Sequence, residues 1–332
     1  MVLRDYAHCR GVTLQRPPRS ARRPLLYDKP ATTVADQVTS LIGRGLLCPD
    51  RARAERHMRA IGYYRLSAYW LPFEDAPSPG QTRSRRFSGG TTWDDIIELY
   101  AFDRRLRLLI MEAIERFEVA VRSSWTNALT LAHGSHAYLD HRNFKDGVAH
   151  AKTIAQIASS ASQSKEPFIQ HYKKKYTTPT LPPLWSACEI MSLGQLSIFY
   201  EGTLDNGVKD RVAKELNLPT KEVLESLLEV SALTRNICAH HGRLWNRRFV
   251  KRLRRVNRLA SVMTFEPHPR GHETLNLIYN TLVVLIEALR PQGGLEAWHH
   301  ELVALLNGVS VDKQDAMGFP RGWQTMPFWA PI

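Results

Sequence analysis

The sequence predicts an all-α protein built around a helix bundle, and three observations carry that prediction. The stretch from Trp93 to about Ala132 contains neither proline nor glycine. Its apolar residues (Leu99, Phe102, Leu106, Leu109, Ala113, Phe117, Ala120, Trp125, Leu129) recur mostly at three- and four-residue steps, the spacing of one helical face. Helix-start and helix-stop residues bracket this and several other stretches. No set of alternating apolar and polar runs suited to a sheet is present, and no internal repeat. The expected architecture is a central bundle with an N-terminal helical hairpin and further helices at the C-terminal end.

Taken in order, residues 1–29 carry seven basic and two acidic residues with Pro17, Pro18 and Pro24, and read as a basic, loosely ordered arm. Residues 30–75 form an N-terminal helical subdomain. In it Thr33 caps a helix through about Leu47, and Asp50 caps a second through about Trp70, ending at Leu71-Pro72. The second helix interleaves His57, Tyr63, Tyr64, Tyr69 and Trp70 with Arg65. Such a face can stack bases and grip phosphates, or simply pack its rings on the main domain. A proline- and glycine-rich linker spans residues 75–90.

The main helical domain covers 90–308. Thr92 with Asp95 opens its first helix, and His133-Gly134 stops it. At 1.5 Å per residue that helix would be roughly 60 Å long, so it must kink or project beyond one bundle. Helices follow over Pro183 to Tyr200, Thr220 to His241 (with Glu222 in its first turn and Gly242 as its stop), Thr274 to Arg290, and Leu295 to Asn307. The histidines at 133, 136, 141 and 150 fall in an apparent exposed loop. Residues 309–332 form a C-terminal tail that packs on the core.

Bulk composition narrows the function. Lys+Arg number 45 against 32 Asp+Glu, giving +13. Such a field attracts polyanions, of which nucleic acid is the commonest. Arginine dominates the basic residues, which suits bidentate phosphate contacts or a GC-rich genome equally. No apolar run approaches the roughly 20 residues of a membrane span, and the N-terminus lacks the apolar core of a secretory signal. Cys9, Cys48, Cys188 and Cys238 are scattered without ligand spacing, which fits a reducing, cytoplasmic setting and argues against a zinc site. Neither a phosphate-cradling glycine loop nor a nucleophile elbow is present, and no cofactor is expected.

The chemistry concentrates at the end of the helix that starts at Thr220. Its last turns read Thr234-Arg-Asn-Ile-Cys-Ala-His-His-Gly242. Asn236 and His240 share a face, while Arg235 sits about 140° around from His240. An arginine, an asparagine and a histidine can cleave RNA without metal. Histidine moves protons near neutral pH, arginine stabilises the pentacovalent phosphate, and asparagine orients the histidine or the scissile phosphate. A bare Arg-x4-His is expected about once by chance in this composition. Its setting is more specific, because a strongly apolar helix precedes it. Eight basic residues without an acid follow (Arg243, Arg247, Arg248, Lys251, Arg252, Arg254, Arg255, Arg258). With Tyr64 and Arg65, all of these but Arg258 are the candidate RNA-binding residues. Glu112, Glu115, Glu118 and Arg122 are a possible polar shell, or ordinary surface ion pairs.

Several ordered stretches resemble the Abi-like (abortive infection, AbiD/AbiF-type) family. They are Lys29-Pro30, the run from Ile61 to Trp70 (IGYYRLSAYW), Tyr100 to Arg107 (YAFDRRLR), and Ile114 to Arg122. Further ones are Pro183-Leu-Trp185, Ser192 to Tyr200, Arg235 to Asn246 (RNICAHHGRLWN), and Met317 to Trp323. The resemblance implies membership of the wider HEPN group of helical proteins. It also implies a four-helix core, and catalysis by an Arg-x4-6-His motif onto which Arg235, Asn236 and His240 map one by one. Two such motifs facing each other across a homodimer are implied, as is a toxin role in anti-phage defence restrained by a companion RNA or antitoxin. Two rival classes fit the residues as well: a non-catalytic RNA-binding helical protein, and a protein-interaction bundle acting through the aromatics near residues 61–73.

Overall fold

The computed structural model describes residues 26–76, 83–265, 267–268 and 272–331. The basic arm therefore lies almost wholly outside the described residues, as does the middle of the 75–90 linker. Thirteen α-helices are described: α1 (Val34–Gly43), α2 (Arg51–Ile61), α3 (Tyr63–Trp70), α4 (Trp93–His133), α5 (Gly147–Gln163), α6 (Pro167–Lys175), α7 (Leu184–Ala187), α8 (Leu193–Gly202), α9 (Asn206–Glu215), α10 (Lys221–Ala239), α11 (Ile278–Leu289), α12 (Glu296–Asn307) and α13 (Val311–Asp315). Among the described residues, extended structure is confined to a two-residue antiparallel ladder, Pro267–His268 with His272–Glu273, and isolated bridges. The fold is all-α. Among the described residues no helix is long and apolar enough to cross a membrane.

Local chemistry sets the boundaries. Thr33 and Asp50 cap α1 and α2 through side-chain bonds to Asp36 N and Arg53 N. Thr92 and Asp95 form a reciprocal capping box at the start of α4. Gly62, at φ 91°, interrupts the run expected to continue to Trp70, so α2 and α3 are separate helices. The stretch read as one helix from Pro183 to Tyr200 is likewise broken. Ser192 and Gln195 build a second capping box there and restart the chain as α8. Helices α5, α6 and α9 occupy segments in which none was expected. His150 lies on α5, buried against Phe144 at 4.7 Å and bonded to the Tyr138 carbonyl at 2.8 Å, rather than in an exposed loop.

Helices α4 and α10 pack on each other, and α9 and α11 each pack on both, making a four-helix group. Helix α8 lies against α10, α5 against α8, and α12 against α4. The N-terminal hairpin of α1 and α2 reaches the group through α3, which packs on α4. The 41 residues of α4 are buried at intervals from Trp93 to Leu129, so this helix is covered along nearly its whole length and does not jut from the bundle. Trp298 donates to the Leu109 carbonyl at 2.8 Å, fastening α12 to it. Arg122, paired with Glu118, donates to the Met191 carbonyl at 2.6 Å and to that of Cys188, fixing the segment before α8. That pair is therefore a buried structural tie. Trp323 and Trp329 close the C-terminal end, packed edge-on 5.1 Å apart.

Candidate functional site

The site is built at the C-terminal end of α10. Leu224, Leu227 and Leu228 are fully buried there and anchor the helix, each apolar side chain contributing roughly 1.5–3 kcal/mol. In the last turns Thr234, Ile237 and Cys238 point inward, Arg235 is half-buried, and Asn236 and His240 are exposed. The Arg235 guanidinium donates to Asn236 Oδ1 at 3.5 Å. Among the described residues no hydrogen bond or ion pair engages the His240 ring, so one chain joins Arg235 to Asn236 and leaves His240 beside them. His240 is the C-cap, at φ −86° and ψ 12°. Its amide still donates to the Asn236 carbonyl at 3.0 Å, so the helix opens only beyond this residue and the 140° separation from Arg235 stands.

The stop differs from the expected one. His241, not Gly242, adopts the left-handed conformation, with φ 57°. The His241 and Gly242 amides donate to the carbonyls of Cys238 at 2.9 Å and Ile237 at 2.8 Å, a Schellman closure. Left-handed backbone disfavours a histidine by about 1 kcal/mol, so neighbours must hold it. Arg65 of α3 does so, donating to the His241 carbonyl. Gly242 is closely packed instead: a Cβ there would lie 3.2 Å from the Ile237 carbonyl oxygen, tighter than an ordinary contact.

Beyond Gly242, Asp103 of α4 organises the chain. It is fully buried, and its Oδ1 accepts the amides of Leu244 at 3.0 Å and Trp245 at 2.6 Å. Its Oδ2 accepts the Tyr69 hydroxyl at 2.7 Å and pairs with Arg107. Arg107 also donates to Tyr69 at 3.0 Å, and Arg243 donates to the Ala68 carbonyl at 2.6 Å. Three parts of the sequence, in α3, in α4 and after α10, thus converge on one carboxylate. Asp103 was not among the residues the sequence pointed to as functional, although it lies in the stretch Tyr100 to Arg107; nothing in its own spacing marks it.

The basic residues after the motif do not form a helix face. They follow irregular chain in which Leu244, Trp245, Phe249, Leu253 and Val256 turn inward, and the cations lie outward between them. Arg247 donates to the Arg243 carbonyl at 3.2 Å, and Arg248 is exposed. Farther on the charges meet carboxylates. Lys251 pairs with Glu229, and Arg258 with Glu287 at 3.0 Å. Arg252, Arg254 and Arg255 line a cleft of about 550 Å³ together with Glu201, Glu222, Glu225 and Glu229. Arg255 also stacks over Phe265 at 4.1 Å.

Of the aromatic run in α2 and α3, Tyr69 and Trp70 are buried, Tyr63 packs edge-on to Trp70 at 4.9 Å, and His57 accepts the Trp93 indole N–H at 3.1 Å. These rings are packing residues, whereas Tyr64 is 92% exposed. Burial pushes the Cys238 thiol up to about 12, so it stays neutral under ordinary conditions.

A family model described as Abi-like protein matches residues 56–246, more than half of the chain and a span that contains α3, α4, α10, Asp103 and the whole Arg235 to His240 segment. No curated protein and no solved structure matches the chain. The chain belongs to the Abi-like protein family.

Proposed function

We propose that this Abi-like protein is a metal-independent endoribonuclease of HEPN type that acts as an abortive-infection toxin in anti-phage defence. The observation that carries the reading is the end of α10. Arg235 and Asn236 are hydrogen-bonded to each other, and the exposed His240, whose ring has no partner among the described residues, caps the helix. In the reaction the 2′-oxygen of RNA attacks the adjacent phosphorus and its proton passes to a base. The bond to the 5′-oxygen breaks, and that oxygen receives a proton. The products are a 2′,3′-cyclic phosphate and a 5′-hydroxyl. His240 serves one proton transfer, Arg235 bears on the negative charge that develops on the phosphorane, and Asn236 orients the arginine.

One chain supplies a single such histidine, open to solvent. A second copy facing it would contribute the other proton-transfer group and exclude water, so a homodimer is the expected working unit. Purified protein should release cyclic-phosphate ends from RNA and keep doing so in EDTA. His240→Ala should slow cleavage by about 100-fold or more. Cleavage unchanged in His240→Ala would overturn the role of that residue, and loss of activity in EDTA would overturn the metal-free chemistry.

The openness of the trio in one chain also suits a second reading, a non-catalytic RNA-binding protein. Tight, salt-sensitive RNA binding without cleavage, and induction without growth arrest, would favour it.

A further inference from the structure

We infer that the cleft between α2–α3 and α4 is a nucleotide-binding subsite, which holds the base and phosphate of an RNA residue next to the one reacting at His240. The inference rests on the ribonuclease reading for its substrate and on separate residues for its site. The cleft has a volume of about 400 Å³, within the usual range for small-ligand sites. Cys238 and His241, which flank His240 in the chain, form part of its wall. Its occupant would therefore lie within about one nucleotide step of the motif.

The cleft's charge is one-sided. Arg65, Arg104 and Arg107 line it, and among the described residues no aspartate or glutamate does. Arg107 is committed to Asp103 behind the wall, and Arg65 spends one donor on the His241 carbonyl. Arg104 is exposed and forms no hydrogen bond or ion pair among the described residues. A guanidinium in that state offers its donor fork to a phosphate without first breaking a bond. The remaining wall is apolar: Ile61, Tyr100, Leu108 and Met111. Leu108 is 48% exposed and so offers its side chain to an occupant of the cleft. Tyr100 is fixed edge-on against Tyr69 at 5.2 Å, so its ring is held rather than free. Cations on one side and a rigid aromatic with aliphatic neighbours on the other suit a nucleotide better than a bare anion.

The test uses the full-length protein carrying His240→Ala, so that bound RNA is not consumed, and a fluorescent RNA decamer titrated over a range of salt. Arg104→Ala should weaken binding about tenfold and lower the salt slope by about one. Arg105→Ala is the control. Arg105 is the next residue on the same helix, pairs with Glu301 and does not line the cleft, so its loss should leave affinity unchanged. Adenosine monophosphate should displace the decamer at concentrations at least about tenfold below inorganic phosphate. Equal affinity of the Arg104→Ala and Arg105→Ala proteins, or no RNA binding at all, would overturn the subsite. Equal competition by phosphate would reduce it to an anion site and overturn the nucleotide assignment. Wild-type protein that binds RNA through Arg104 yet never cleaves it would support the subsite and overturn the ribonuclease reading instead.

Discussion

Two arginine-rich regions flank the end of α10, and they differ in what faces them. On the α4 side, Arg65 and Arg104 line a cleft to which no carboxylate contributes among the described residues, and Asp103 lies behind the wall, paired with Arg107. On the other side the longer run from Lys251 to Arg258 meets Glu229 and Glu287 in ion pairs and shares a cleft with four glutamates. The run with more basic residues in the sequence is the more nearly neutralised one in space. Charge density along a chain thus describes a polyanion surface poorly until its cross-chain partners are known.

The largest test of this contrast is Asp103→Asn. It should lower stability by about 3 kcal/mol, read from urea midpoints, because it leaves buried Arg107 without its counter-charge. Lys251→Ala removes an ion pair whose partners are each about half-exposed, and should change stability by less than about 1 kcal/mol. Similar effects from the two would erase the distinction. A second comparison sets Arg247→Glu with Arg248→Glu against Arg254→Glu with Arg255→Glu. The first pair should weaken RNA binding about tenfold, and the second less than about threefold, because its glutamates already screen it.

The smallest effect concerns Cys238, beneath the loop that Asp103 holds. Its folded-state value of about 12 lies above the ordinary 9.0. The stability linked to this thiol is therefore complete below pH 9 and is lost as pH rises toward 12. At pH 8 a thiol reagent should not label Cys238 in the native protein, and Asp103→Asn should speed labelling.

What the sequence disclosed was local. Thr33, Asp50, Thr92 with Asp95, and Thr220 act on amides three residues away, so each helix start could be read in place. Arg235, Asn236 and His240 lie within about a turn and a half at the end of α10, so their proximity in the chain could be read in the same way. Helix α9 escaped because its ten residues are mostly polar and only Val208, Val212 and Ala213 carry its apolar packing. The break before α8 escaped because an apolar stripe ran across the Ser192–Gln195 capping box. The Asp103 junction was out of reach for a simpler reason. Its partners are 34, 141 and 142 positions away, and no periodicity extends that far.

Those separations also govern how the protein comes to exist. Contacts of such long range close late, after loop-closure entropy has been met by the packing of α4, α10 and α11. A growing chain that has just emerged as far as His240 has made the motif's residues but not the loop beyond it, because Leu244 and Trp245 are not yet in place to bond Asp103. Truncated chains ending before residue 244 would therefore leave Asp103 without either backbone donor.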